Sequence, residues 1–166
     1  DAREMESGFV KLNIQPFSLT RLIDEITDLY SLIAEEKEIA LCAAPAASEL
    51  MIHGDRTRLA RVFANLIDNA LKYTPPHGSV TLSVEENNVT VITRVRDTGI
   101  GIPKDELALI WQRLFRGQQA RETEKGLGLG LNIVQVIVAA HGGSVRVEST
   151  PEQGTTFCVT LPKHSA

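Results

Sequence analysis

The stretch Asp55–Tyr73, DRTRLARVFANLIDNALKY, spaces Leu59, Val62, Phe63, Leu66 and Ala70 by three and four, the period of a helix with one buried face. Thr74-Pro75-Pro76 ends it, because a residue before proline is driven out of the helical region. Successive helical residues advance by about 100 degrees, so Asn65, Asn69 and Lys72 fall within about 60 degrees of one another, away from the apolar stripe. Two carboxamides and a lysine suit a magnesium phosphate: the amide oxygen is a hard neutral ligand and the ammonium a point charge for phosphate oxygens. A solvated helix face has the same composition, and both readings stand at this point. Asp68 lies a step off this face and is not expected as a ligand.

Upstream, Asp1 to Lys11 read as a polar linker, and Pro16 stops any helix running through. After a Ser18 cap, Leu19, Leu22, Ile23, Ile26, Leu29, Tyr30 and Ile33 predict an amphipathic helix to about Lys37. Ile39–Ala44 and Glu49–His53 read as short strands. Downstream, Ser79–Glu85 and Val89–Arg96 alternate around Asn87-Asn88, a hairpin signal. Ser144–Ser149 and Thr155–Leu161 form a second pair around Pro151 to Gly154. Between the hairpins an apolar helix runs from Gly126–Gly130 through Ala140 and stops at His141-Gly142-Gly143. Hairpins mixed with helices imply an α+β chain, its antiparallel or mixed sheet covered by helices on one face.

Asp97-Thr98-Gly99-Ile100-Gly101 follows a strand, where an acceptor-only carboxylate could take a hydrogen bond from an exocyclic amine such as adenine N6. Its glycines permit positive φ and close backbone approach to a flat base, although the same string is also an ordinary turn. Gly126-Leu127-Gly128-Leu129-Gly130-Leu131 sets alternating glycines ahead of a helix, where free N–H groups and the helix dipole suit phosphate, with Lys125 at the edge. It is neither a Walker loop nor a dinucleotide fingerprint. From Pro103 to Lys125 the chain is polar and long enough for a functional lid. Trp111, Leu114 and Phe115 can pin that lid to the core, while Arg113 and Arg116 face ligand or solvent. Arg116 is the better candidate for the terminal phosphate, since its fork matches phosphate oxygens.

The 166 residues suit one globular domain, and 17 Lys and Arg against 21 Asp and Glu argue against a nucleic-acid binder relying on phosphate neutralisation. Cys42 and Cys158 are expected to be buried small hydrophobes, and His53 and His141 to be structural. No Ser/His/Asp arrangement and no metal-spaced His/Cys set appears in the sequence. No apolar run reaches the roughly 20 residues of a membrane span, so a cytoplasmic location is expected.

The order NLIDNALKY, DTGIGI, IWQRLFRG, GLGLGL, GTTF resembles the N, G1, F, G2 and G3 boxes of sensor histidine kinases. The resemblance spans nearly the whole chain, because MESG…PFSL also looks like the end of a dimerisation helix and its link. It implies residues 1–15 as that end and linker, and residues 16–166 as a catalytic ATP-binding domain with a lid at about 102–127. The implied fold is the Bergerat two-layer α/β sandwich, a mixed and largely antiparallel sheet with helices on one face. Asn69 would hold magnesium with Asn65 nearby, and Lys72 and Tyr73 would contact phosphate or ribose. Asp97 would bind adenine N6, with Gly99, Gly101 and Ile102 shaping the pocket and Thr156 near the base. Lys125, Gly126, Leu127, Gly128, Leu129, Gly130 and Leu131 would form the phosphate loop and lid hinge, and Asn69, Lys72 and Arg116 would be the catalytic groups. ATP and Mg2+ would be the cofactors. Trp111 and Leu114 depart from the phenylalanines common in the F box, and Lys125 stands where a small residue is frequent. No HE-x-x-TP-like acceptor box occurs in the chain. The implied partners are a dimerisation and histidine phosphotransfer domain of the same protein and a response regulator. The chain itself would be monomeric, and its parent a homodimer anchored in the bacterial inner membrane. The alternatives are a nucleotide-sensing binding module and a gyrase-like or chaperone ATPase.

Overall fold

The computed structural model describes residues 11–112 and 129–164. In chain order the elements are β1 (Gln15–Ser18), α1 (Leu19–Leu29), α2 (Ser31–Glu36), β2 (Ala40–Ala43), β3 (Met51–Gly54), α3 (Arg56–Tyr73), β4 (Ser79–Glu86), β5 (Thr90–Asp97), α4 (Leu129–Ala140), β6 (Ser144–Thr150) and β7 (Gly154–Pro162). A 3-10 turn at Lys104–Glu106 follows β5. Five strands form a sheet in the order β2-β4-β5-β7-β6, with β2 parallel to β4 and the other pairs antiparallel. The expected mixed sheet with helices on one face is what the chain forms.

Strand alternation decides which side is covered. Val91, Thr93, Val95 and Asp97 of β5 stand opposite Leu161, Val159, Phe157 and Thr155 of β7, and all eight are buried. They pack beneath Leu59, Val62, Phe63 and Leu66 of α3 and Val134, Ile137 and Val138 of α4. The other face carries Arg96, Arg146 and Glu148, which are exposed. Cys158 is buried as expected, whereas Cys42 is exposed on β2, an edge strand of this sheet.

One expectation fails at the N-terminal end. The helix predicted from Ser18 to Lys37 breaks at Tyr30, whose N–H is shared between the Ile26 and Thr27 carbonyls. Thr27 Oγ1 bonds back to the Ile23 carbonyl and Ser31 Oγ to that of Asp28, both at 2.7 Å, which draws the turn out of regular α geometry. Apolar residues on either side of the break point outward: Leu29 is 69% exposed before it, and Leu32 and Ile33 are exposed after it. The segment around Pro16 forms a strand, β1, antiparallel to β3 in a separate two-stranded sheet. Proline is tolerated there because a two-stranded ribbon consists of edges. Among the described residues no helix is long and apolar enough to cross a membrane.

Candidate functional site

The helix α3 is held at both ends. At its start Asp55 is the cap, accepting Arg58 N–H on Oδ1 at 3.1 Å, and its Oδ2 accepts Asn13 N–H at 2.9 Å. At its end Thr74 Oγ1 bonds to the Ala70 carbonyl, and the Tyr73 carbonyl accepts the N–H of Ile100 at 3.1 Å. The second contact fastens the Asp97–Gly101 loop to the last turn of the helix that carries Asn69 and Lys72.

Asn65, Asn69, Lys72 and Tyr73 are all half-buried. Asn65 Nδ2 donates to the Gly130 carbonyl at 3.4 Å, so the first turn of α4 lies across this face. Lys72 Nζ pairs with Asp68 Oδ2 at 3.2 Å, which makes Asp68 the residue that steers the lysine rather than a member of the amide face. Tyr30 lies near both: burial raises its pKa first, with Asp68 adding to that and Lys72 opposing it.

Asp97 is 7% exposed at the end of β5. Its Oδ1 accepts the Gly99 N–H at 2.8 Å and the Thr155 N–H at 3.2 Å. Burial pushes the carboxyl above its ordinary range, and those two amides pull against that shift. Among the described residues Oδ2 receives no hydrogen bond, which leaves a buried carboxylate with acceptor capacity for an amine.

Gly101 takes the positive φ expected of it, and both glycines also meet the protein's own backbone. A side chain at Gly99 would collide with the Tyr73 carbonyl, and one at Gly101, where φ is +73°, with the Thr150 carbonyl. Their close approach is to the protein's own backbone, and it brings the Asp97 loop against α3 on one side and the β6–β7 turn on the other. Ile102 continues that contact, its N–H donating to Ser149 Oγ at 2.7 Å.

Thr156 is not placed where the sequence reading put it. It pairs with Arg96 and Glu148 and so lies on the sheet face away from Asp97, whereas Thr155 is the residue opposite Asp97. Thr155 also bonds Ser149 through the two hydroxyls at 2.8 Å, and Gly154, at φ +109°, packs against the Asp97 carbonyl. Thr155, Gly154 and Ser149, which surround Asp97, were not singled out from the sequence. Gly154 and Thr155 stand directly before Thr156, but only the strand register distinguishes the two threonines.

Gly130 and the half-buried Leu131 open α4, and Leu129 is its first residue. Trp111 packs edge-on against Phe157, with ring centroids 5.9 Å apart, and its carbonyl accepts a bond from Asn132 Nδ2. Arg113, Leu114, Phe115, Arg116, Lys125, Gly126, Leu127 and Gly128 lie outside the described residues, as does most of the expected lid.

Residues 54–165 match the family described as "Histidine kinase-, DNA gyrase B-, and HSP90-like ATPase". The chain is 35% identical to the circadian input-output histidine kinase CikA of Synechococcus elongatus, over 99% of this chain and 22% of that protein. Its fold matches the catalytic domain of histidine kinase ThkA with a TM-score of 0.81 and 29% identity, over 92% of this chain and 99% of that one. It likewise matches full-length ShkA in complex with AMPPNP, with a TM-score of 0.83 and 32% identity, over 95% of this chain and 32% of that one. ThkA in complex with the response regulator protein TrrA matches with a TM-score of 0.79 and 27% identity, over 98% of this chain and 46% of that one. The chain spans about a fifth to two fifths of the length of these curated relatives, CikA and the adaptive-response sensory kinase SasA of Synechocystis. A capped helix with a carboxamide face, a buried carboxylate at the sheet end and these matches place the chain in the histidine kinase-, gyrase B- and HSP90-like ATPase family, as an ATP-binding catalytic domain of the histidine kinase type.

Proposed function

We propose that this domain holds magnesium ATP between α3 and the Asp97 loop so that the terminal phosphate passes to a histidine on a dimerisation domain of the same protein. The observation carrying the reading is the contact of the Asn69 helix with the Asp97 loop through Tyr73 and Ile100. In this reading Asp97 receives the adenine amine, Asn69 supplies a metal ligand with Asn65 beside it, and Lys72 and Tyr73 meet phosphate or ribose. Gly99, Gly101 and Ile102 shape the adenine side, Gly130 and Leu131 the phosphate side. Thr155 takes the place beside the base that had been expected of Thr156. Arg116 and the Lys125–Leu129 segment would act on the phosphates.

The donor set suits magnesium. A half-buried face with two amide oxygens offers hard neutral ligands, and magnesium keeps most of its waters and binds through few protein groups plus phosphates. When bound, the ion would neutralise charge building on the phosphates. The chain's own part is positioning, which dominates phosphoryl transfer: Asp97 orients the base, and the Asp68-steered Lys72 meets phosphate charge. A cytoplasmic setting, a membrane-anchored homodimeric parent and relay to a response regulator complete the proposal, supported by the regulator seen with ThkA. Incubating the chain with labelled ATP and a histidine-bearing dimerisation domain tests it. Acid-labile phosphate on that domain is expected. Nucleotide binding without any transfer would instead favour a nucleotide-sensing module.

A further inference from the structure

His141 is 2% exposed at the C-terminal end of α4, and its two ring nitrogens are both engaged. Nδ1 lies 2.9 Å from the Ile137 carbonyl, which can only accept, so Nδ1 carries the proton. Nε2 lies 3.0 Å from the Asp55 N–H, which can only donate, so Nε2 is the bare acceptor. One neutral tautomer satisfies both bonds. A protonated ring would set two N–H groups against each other.

The bond joins the start of α3 to the end of α4. Asn65 lies ten positions after Asp55, and Gly130, which Asn65 contacts, lies eleven before His141. At about 1.5 Å per residue both spans are about 15 Å, so the helices run antiparallel with two cross-links in register. Asn69 lies one turn past Asn65. We propose that His141 is a positioning residue for the nucleotide: its ring sets the register of α4 against α3, and with it the placement of Gly130 relative to Asn65 and Asn69. This rests on the proposed nucleotide site.

The charged groups facing the ring are Asp55 and Arg58 at the start of α3; Asp55 favours the protonated ring and Arg58 opposes it, and burial outweighs both. The ring thus stays neutral to lower pH than an ordinary histidine. Folding is favoured by the neutral ring at and above the ordinary value of 6.5, and that contribution is lost as the pH falls towards the folded value.

The test compares His141→Leu, which fills the space without an acceptor, with His141→Gln, whose amide oxygen can reach the Asp55 N–H. For magnesium ATP, the leucine variant should bind about tenfold more weakly and the glutamine variant within about twofold of wild type. A folded leucine variant with unchanged affinity overturns the proposal. Should that variant not fold, acidification decides. As the pH falls below the ordinary histidine value of 6.5, wild-type affinity should fall more steeply than that of His141→Gln, and equal slopes overturn the proposal. In the nucleotide-free domain, the same acidification should move the Asn65 side-chain and Gly130 amide resonances in wild type and not in His141→Gln; unmoved resonances in wild type overturn the positioning role. That arm needs no nucleotide, so a domain that binds none would sink the functional reading while the resonances still judge this one.

Discussion

One oxygen of Asp97 serves two backbone amides while burial opposes its charge, and this tension separates function from stability at a single residue. Asp97→Asn keeps an acceptor for Gly99 and Thr155 and removes the buried charge. Unliganded stability should therefore hold or rise by up to about 1 kcal/mol in denaturant unfolding, while affinity for ATP falls at least about tenfold because an amide donor now faces the adenine amine. Acidification acts in the same direction: the raised pKa means that the Asp97 carboxylate, proposed to receive the adenine amine, protonates at a higher pH than an ordinary aspartate. Thr93 makes the opposite case. It is fully buried, and its hydroxyl has no partner among the described residues. Thr93→Val should stabilise the domain by about 1 kcal/mol, read from the unfolding midpoint, and leave nucleotide affinity unchanged.

At the scale of elements, α1 illustrates how far periodicity reaches. Its apolar spacing is regular through Ile26, and these residues are buried; the side-chain hydroxyls of Thr27 and Ser31 then break the turn, and Leu29 faces water. Leu22→Ala should cost about 2 to 5 kcal/mol, whereas Leu29→Lys should stay within about 0.5 kcal/mol, both measured by denaturant unfolding. The hairpin β4–β5 was legible because Asn87 closes it, its Oδ1 accepting the N–H groups of Val89 and Thr90. The helix α3 was legible because a stripe of five apolar residues and the prolines after Thr74 bound it. The strand β1 was not, since four residues around a proline carry no alternation to read. The threonine of the site was misread for a related reason. Thr155 and Thr156 are chemically identical, and only the pairing of β7 with β5 sends one towards Asp97 and the other to the far face.

For the whole molecule, the sheet and its two antiparallel helices gather the chemistry at one end. Asp55 and His141 join α3 and α4 at the far end, and Asn65, Asn69, Gly130 and the Asp97 loop lie towards the other. The residue types of this site could be read from sequence because carboxamides on a helix face and a carboxylate after a strand are few and well spaced. Their mutual contacts could not, because Tyr73 to Ile100 and Asn65 to Gly130 are joined only by tertiary packing. Titrating the chain with ATP in the presence and absence of magnesium, for wild type and for Asn69→Ala and Asp97→Asn, tests the central claim most directly. Wild type should show one saturable site, Asn69→Ala should lose the magnesium-dependent affinity, and Asp97→Asn should bind weakly under either condition. Undiminished affinity in both variants, or no binding by wild type, would contradict it.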